Sequence, residues 1–411
     1  MNFEYFIAKR IIDSKAYKSS VSAPIIKIGI AAIAIGIIVM MVSIATGIGL
    51  QQKIRDKVVA FNGHITISKF GMNNLQESDV AISKNQSFYP EFNSVSGVSH
   101  IQGVATKFGI MRTETDFEAV IVKGVGTDYK WDYFEEYLVQ GTIPKYTSAY
   151  SQDVLISEYT ANRLRLEVGD TIQTYFTNND FNKQPRIIPY QVVGIYNSGF
   201  QEFDKTYVIS HLKHLQRLNK WEPDQVGHFE IFVNNYNNLD AIRDEVYKQT
   251  PPELNTITVE RQFDSIFEWI SIFVKNIYGI LGIMVIVAGF NMVTALLVLI
   301  LERTQMIGIL KALGSNNWRI RKIFLYNASY LIALGLLWGN TIGLGILLAQ
   351  KYFKIFPLDP NVYYVSEAPV YISLSYILAL NLGTFILCIL MLLIPSYVIT
   401  KISPVKSIRF N

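Results

Sequence analysis

IIKIGIAAIAIGIIVMMVSIATGIGL, Ile25–Leu50, carries one charge, Lys27, and is longer than the roughly 20 residues a helix needs to cross a bilayer. Three more apolar runs follow, at 277–301, 323–348 and 370–394, but only after a long polar interval at 51–276. One span, a gap and then three spans predict a membrane anchor and a membrane bundle with a folded domain inserted between them. Composition agrees: 50% of the 411 residues are apolar and the mean hydropathy is +0.24, a balance that soluble chains rarely show.

The net charge of +4 gains meaning from its placement. Lys9, Arg10, Lys15 and Lys18 precede the first span, Arg303, Lys311, Arg319, Arg321 and Lys322 separate the second from the third, and Lys401, Lys406 and Arg409 follow the fourth. The loop at 349–369 instead balances Lys351 and Lys354 with Asp359 and Glu367. By the positive-inside rule both termini (1–24 and 395–411) and the 302–322 loop are cytoplasmic, and the 51–276 domain is external. The first span exceeds a signal-peptide core and is expected to be retained as an anchor. Cys388, the sole cysteine, lies in the fourth span, so the outer domain has no disulfide and no thiol metal site.

Phe3, Phe6, Ile7 and Ile11 recur at helical spacing, as in a short helix at the membrane interface or against the bundle. Beyond span one the stripe Leu50, Ile54, Val58, Phe61 continues, and Phe263, Ile266, Phe267, Ile270, Phe273, Val274 and Ile277 lead into span two. Intervening charges such as Lys53, Asp56, Glu268 and Lys275 keep these segments out of deep lipid, so they read as stalks whose stripes face each other. The outer domain mixes strand-like pieces (64–69, 117–123, 171–176, 191–196, 206–209, 229–233, 256–259) with helical ones (157–166, 239–250), an α+β domain of two lobes. Gly335, Gly339 and Gly343 in span three stand four apart, the spacing that lets helix backbones approach closely in lipid.

Chemistry is sparse. There is no GxxxxGK[ST], no HExxH and no GxSxG, so the chain names no nucleotide loop, zinc site or hydrolase nucleophile of its own, and no basic-aromatic surface for nucleic acid stands out. His211 and His214 stand three apart without an acidic pair beside them and read as a solvated helix face. The segment ERTQMIGILKALGSNNWRIRKIF, Glu302–Phe324, is richer: after Glu302 and Arg303 it sets Met306, Ile309, Leu310 and Leu313 on one side of a short helix that stops at Gly314. Such an apolar knob with a charged base suits a groove on a partner, or else caps the bundle.

That segment resembles the coupling segment of FtsX-like permeases of ABC transporters, the MacB-like mechanotransmission type (type VII) with a large periplasmic domain after the first of four spans. FEYFIAKR (3–10), the run from Ile28 to Ile65, VLISEYTANRLRLEVGD (154–170), VVGIYNSGFQEFD (192–204), LDPNVYYVSEAPV (358–370) and PSYVITKISPVKSIR (395–409) resemble more narrowly the lipoprotein-releasing permeases of LolC, LolE and LolF type. The resemblance runs from end to end. It implies an inner-membrane subunit whose Glu302, Arg303, Met306, Ile309, Leu310 and Leu313 engage a LolD-like dimeric ATPase, where ATP and Mg are bound, while this chain binds no cofactor. It also implies a second permease subunit, the same or homologous, a lipoprotein cargo among membrane lipids, and a LolA-like periplasmic carrier.

In LolC-type subunits the carrier is caught by a hairpin hook. Its position matches TNNDFNKQPRIIP, 177–189, with Asn178, Asn179, Asp180, Phe181, Asn182, Lys183, Gln184, Pro185 and Arg186 as candidate contacts. For the path of the acyl chains the candidates are Met40, Met41, Ile44 and Ile48 on span one and Ile266, Phe267 and Ile270 on the second stalk. Two other readings remain open at this level: a MacB-like exporter of peptides or small toxins, and a membrane-tethered sensor or hydrolase.

Overall fold

The computed structural model describes residues 3–13, 23–70, 77–177 and 184–402. They form two compact units, one made of 1–51, 269–357 and 367–411, the other of 52–268 and 358–366. In chain order the helices are α1 (Phe3–Asp13), α2 (Ala23–Asn62), α3 (Asp132–Glu135), α4 (Glu158–Leu164), α5 (Gln201–Asp204), α6 (Leu212–Asn219), α7 (Leu239–Gln249), α8 (Val259–Gln262), α9 (Asp264–Glu302), α10 (Thr304–Ala312), α11 (Asn317–Phe353), α12 (Pro360–Tyr363), α13 (Leu374–Ser396) and α14 (Val398–Lys401).

In the membrane unit α2, α9, α11 and the α13–α14 segment are long and apolar enough to span. Small residues set their packing. A Cβ on Gly335 or Gly339 of α11 would stand 2.8 Å from Ile33 or Ile37 of α2, and Gly343 lies against Met41, so these two helices run parallel with backbones nearly touching. Gly29 faces Ala295 and Gly47 faces Ile277, an antiparallel register of α2 with α9. Between α11 and α13, Asn340 and Asn381 exchange two amide hydrogen bonds of 2.6 and 2.9 Å, which leaves neither amide stranded in lipid. α1 packs on α11, with Tyr5 edge-on to Tyr326 and Ala8 and Ile11 buried.

The outer unit is built on one sheet of ten strands. The strands are β1 (Ile65–Lys69), β2 (Ile82–Ser83), β3 (Val98–Arg112), β4 (Phe117–Val125), β5 (Leu138–Gly141), β6 (Asp153–Ser157), β7 (Thr171–Phe176), β8 (Arg186–Tyr196), β9 (Tyr207–His211), β10 (Gln225–Val226), β11 (His228–Val233) and β12 (Leu254–Thr258). β2 and β10 pair apart from the rest. Pairing in the order β3-β4-β9-β6-β8-β7 returns to β3, so these six close a small barrel and leave few free edges. The first half of β3 instead carries the open run β11-β1-β12. The expected two lobes are therefore two regions of one sheet sharing β3. At 15 residues β3 is the longest strand, and it went unread because Gly103 and Gly109 weaken its strand pattern. Both are needed: a Cβ on Gly103 would stand 2.9 Å from Val226, and one on Gly109 3.0 Å from Thr174.

The first stalk stripe runs on into the outer unit. Ile54, Val58 and Phe61 are buried, but in the outer unit, where Phe61 is ringed by Phe134, Tyr196, Phe203 and Tyr207 at 4.9–5.9 Å. The end of α2 is thus seated in the domain, where Phe61 and, from the start of the second stripe, Phe263 pack on the same Phe203 ring at 4.9 and 5.5 Å.

Candidate functional site

At the end of the second span, α9 breaks at Arg303 and α10 follows at once. α10 ends in a left-handed Gly314 (φ +88), Ser315 N–H returns to Leu310 O at 3.0 Å, and Asn316 Oδ1 caps α11 by accepting from Arg319 N–H. This short connection turns Ile307 and Leu310 into the bundle core, with Met306 packed against it. Ile309 (46% exposed) and Leu313 (78%) are left on the surface beside Glu302 and Gln305. The knob read from sequence therefore splits: Leu310 and Met306 hold the helix down, and Ile309 and Leu313 face outward. The mount is rigid. Lys311 Nζ donates to the carbonyls of Ile399, Thr400 and Ile402, and Arg321 bonds Ser396 Oγ and Leu393 O while lying over Trp318. Three carbonyls on one ammonium neutralise the negative end of α14.

The candidate acyl-chain residues are mostly not on an open surface. Met40, Met41, Ile266 and Ile270 are buried, Met40 and Met41 within the apolar core of the membrane unit. Ile44, Ile48 and Phe267 are half-buried. The exposed apolar residues of these helices are others, such as Ile35 of α2 and Ile283 and Phe290 of α9.

The hook candidates Asn178, Asn179, Asp180, Phe181, Asn182 and Lys183 lie outside the described residues. Their flanks form a hairpin: β7 and β8 pair antiparallel from Thr171↔Gln191 to Phe176↔Arg186. Gln184 and Pro185 lead into β8, and Arg186 Nη1 donates to the carbonyls of Arg217 and Leu218 at the end of α6. The hairpin base borders an open groove of about 550 Å³, with Ile110, Phe117 and Tyr175 in its wall.

His211 and His214 are buried, not solvated. The His214 ring accepts a hydrogen bond from Tyr150 Oη at Nδ1 (2.7 Å) and donates from Nε2 to Ser151 O (2.6 Å). Burial drives its pKa down to about 4, so it is a neutral core residue. Among the described residues no group of histidine, cysteine, aspartate and glutamate side chains could hold a metal ion.

Sequence reading missed a buried polar centre in the outer unit. Lys123 Nζ of β4 donates to Glu230 Oε1 of β11 (2.6 Å) and to Phe61 O at the end of α2 (2.5 Å), and Gln102 Nε2 of β3 donates to Glu230 Oε2 (2.8 Å). Burial opposes both charges. Lys123 and His228 outweigh it at Glu230 and hold that carboxyl below its usual range.

Residues 28–249 match the MacB-like periplasmic core domain, and 278–404 match the FtsX-like permease C-terminal domain. The chain belongs to the MacB-like periplasmic core domain family. Its membrane helices and outer domain together are those of an ABC-type permease, a transport subunit. Curated relatives align along nearly the whole length. The lipoprotein-releasing system transmembrane protein LolC of Xylella fastidiosa (strain 9a5c) is 21% identical over 92% of this chain and 92% of its own. LolC of Neisseria meningitidis serogroup B is 21% identical over the full length of both. LolE of Haemophilus influenzae is 22% identical over 99% of each.

Proposed function

We propose that this chain is the permease subunit of an ABC transporter that takes lipoproteins from the outer leaflet of a bacterial inner membrane and passes them to a soluble periplasmic carrier. The observation that carries this reading is the end-to-end likeness, through the outer domain and bundle alike, to proteins named for lipoprotein release. A likeness confined to the coupling segment would reach only the wider permease group.

In this reading both termini and α10 are cytoplasmic, as their basic residues favour, and a separate dimeric ATPase that binds ATP and Mg docks on Ile309 and Leu313 beside Glu302. The exposed span faces around Ile283 and Phe290 meet a second permease subunit or the acyl chains. At about 0.8 kcal/mol per methylene, an acyl chain of about fifteen methylenes costs about 12 kcal/mol to expose to water, so spontaneous release to a carrier is negligible. Cargo must pass between apolar surfaces under a driven stroke.

The test is purification of the full-length chain in mild detergent from its own cells. Recovery of an ABC ATPase and of bound triacylated protein, identified by mass spectrometry, supports the reading. An ATPase-free preparation, or one with ATPase but only peptide cargo, refutes it.

A further inference from the structure

We infer that the turn Asn197–Asp204 is the junction through which the outer unit receives movement from the membrane helices, with Phe203 as its positioning residue. The inference rests on the transport reading above and adds the route by which the stroke reaches the domain.

The chain reaches the outer unit by three segments: the end of α2, the start of α9 and the loop 358–366. Within that unit all three arrive at one turn. Phe61, at the end of α2, has its ring centroid 4.9 Å from that of Phe203. Phe263, just before α9, lies 5.5 Å from the same ring. Tyr364 of the loop stacks on Phe200 at 4.8 Å and 16°, and Phe200 lies 4.6 Å from Phe203. Lys57 of α2 also donates to Tyr364 O at 3.1 Å.

The turn is held from below. Gly199 takes a positive φ (+64) that a side chain would resist. The Asp204 carboxylate accepts from Ser198 N–H (3.2 Å) and Ser198 Oγ–H (2.6 Å), and the Ser157 hydroxyl donates to Asp204 O. Phe200 and Phe203 are buried (0% and 4% exposed), yet they stand outside the main apolar core of the sheet. Tyr364 and Phe263 belong to the outer unit, and both lie on segments that continue into the membrane unit. Rings packed at interior density pass displacement on, whereas a void takes it up.

The test uses the full-length chain purified with its ATPase, Cys388→Ala, and spin labels at exposed Glu114→Cys and Tyr352→Cys, read by double electron–electron resonance with and without ATP and vanadate. The parent protein is expected to shift its distance distribution on trapping. Phe203→Ala is expected to hydrolyse ATP at the parent rate and lose most of that shift, while Phe88→Ala, in the main core, lowers thermal stability and keeps it. Where Phe203→Ala does not fold, Phe203→Leu is read in the same way. A parental shift in the Phe203 variant, or its equal loss in Phe88→Ala, overturns the inference. Absence of any shift in the parent removes the stroke itself, a separate failure that belongs to the transport reading.

Discussion

Lys123 Nζ and Glu230 Oε1 stand 2.6 Å apart with both side chains about 1% exposed, and the same ammonium caps the carbonyl of Phe61 where α2 ends. The last turn of a helix carries unpaired carbonyls and a partial negative charge, so a buried cation there satisfies both demands at once. Removing one partner strands the other. Lys123→Met is therefore expected to cost about 3–5 kcal/mol, seen as a lower thermal midpoint of the full chain in detergent. Lys123→Met with Glu230→Leu should recover much of that loss. A single variant as stable as the parent would show that the ion pair contributes nothing net.

Leu310 and Leu313 stand three residues apart, the first buried and the second exposed. Leu310→Ala should cost about 2–5 kcal/mol through the cavity it leaves. Leu313→Asp, at an exposed position, should leave the thermal midpoint unchanged and release the ATPase on size-exclusion chromatography. Retention of the ATPase by Leu313→Asp combined with Ile309→Asp would place the ATPase elsewhere.

Gly339 and Gly345 lie on one helix, but a Cβ on the first would collide with Ile37 and one on the second meets open space. Gly339→Val is expected to destabilise by about 1–3 kcal/mol or more, and Gly345→Val by less than about 0.5 kcal/mol. Equal protease resistance of the two variants would contradict the close packing of α11 on α2.

His214 is neutral in the fold, with a pKa near 4, and takes up a proton near 6.5 when unfolded. Between those values the unfolded state binds more protons, so stability falls as pH falls from about 6.5 to 4, by up to about 1.4 kcal/mol per pH unit from this residue. Thermal midpoints of the full chain across that range should fall less steeply in His214→Gln. An unchanged slope would assign the acid sensitivity to other groups, of which His64, also held near 4 by burial, is the first to examine.

The span count and the glycine seam of α11 were legible because bilayer thickness and close helix approach leave local signatures, a run of about 20 apolar residues and small residues four apart. The strands on either side of 177–189 were legible from their β-branched and aromatic residues, although β8 begins at Arg186, inside the stretch the family resemblance assigned to the hook. What stayed hidden depends on partners far away in sequence. Whether Leu310 or Leu313 faces solvent follows from the turn at Arg303 and the packing of α14. Nothing near His214 in sequence announces Tyr150. Lys123 and Glu230 lie on strands far apart in sequence, brought together only because β3, which carries Gln102, pairs with both β4 and β11. Phe203 looked like part of a family landmark, and its meeting with Phe61 and Phe263, and through Phe200 with Tyr364, joins segments far apart in sequence.

The most direct test of the transport account is a release assay. Proteoliposomes containing the full-length chain, its second subunit and its ATPase are loaded with a radiolabelled triacylated lipoprotein and incubated with the soluble carrier. Labelled lipoprotein should appear in the carrier fraction with ATP, and not with a non-hydrolysable analogue, with a diacylglycerol-free form of the cargo as the background control. ATP-independent appearance of the cargo on the carrier, or none in any condition while the ATPase turns over, would contradict the account.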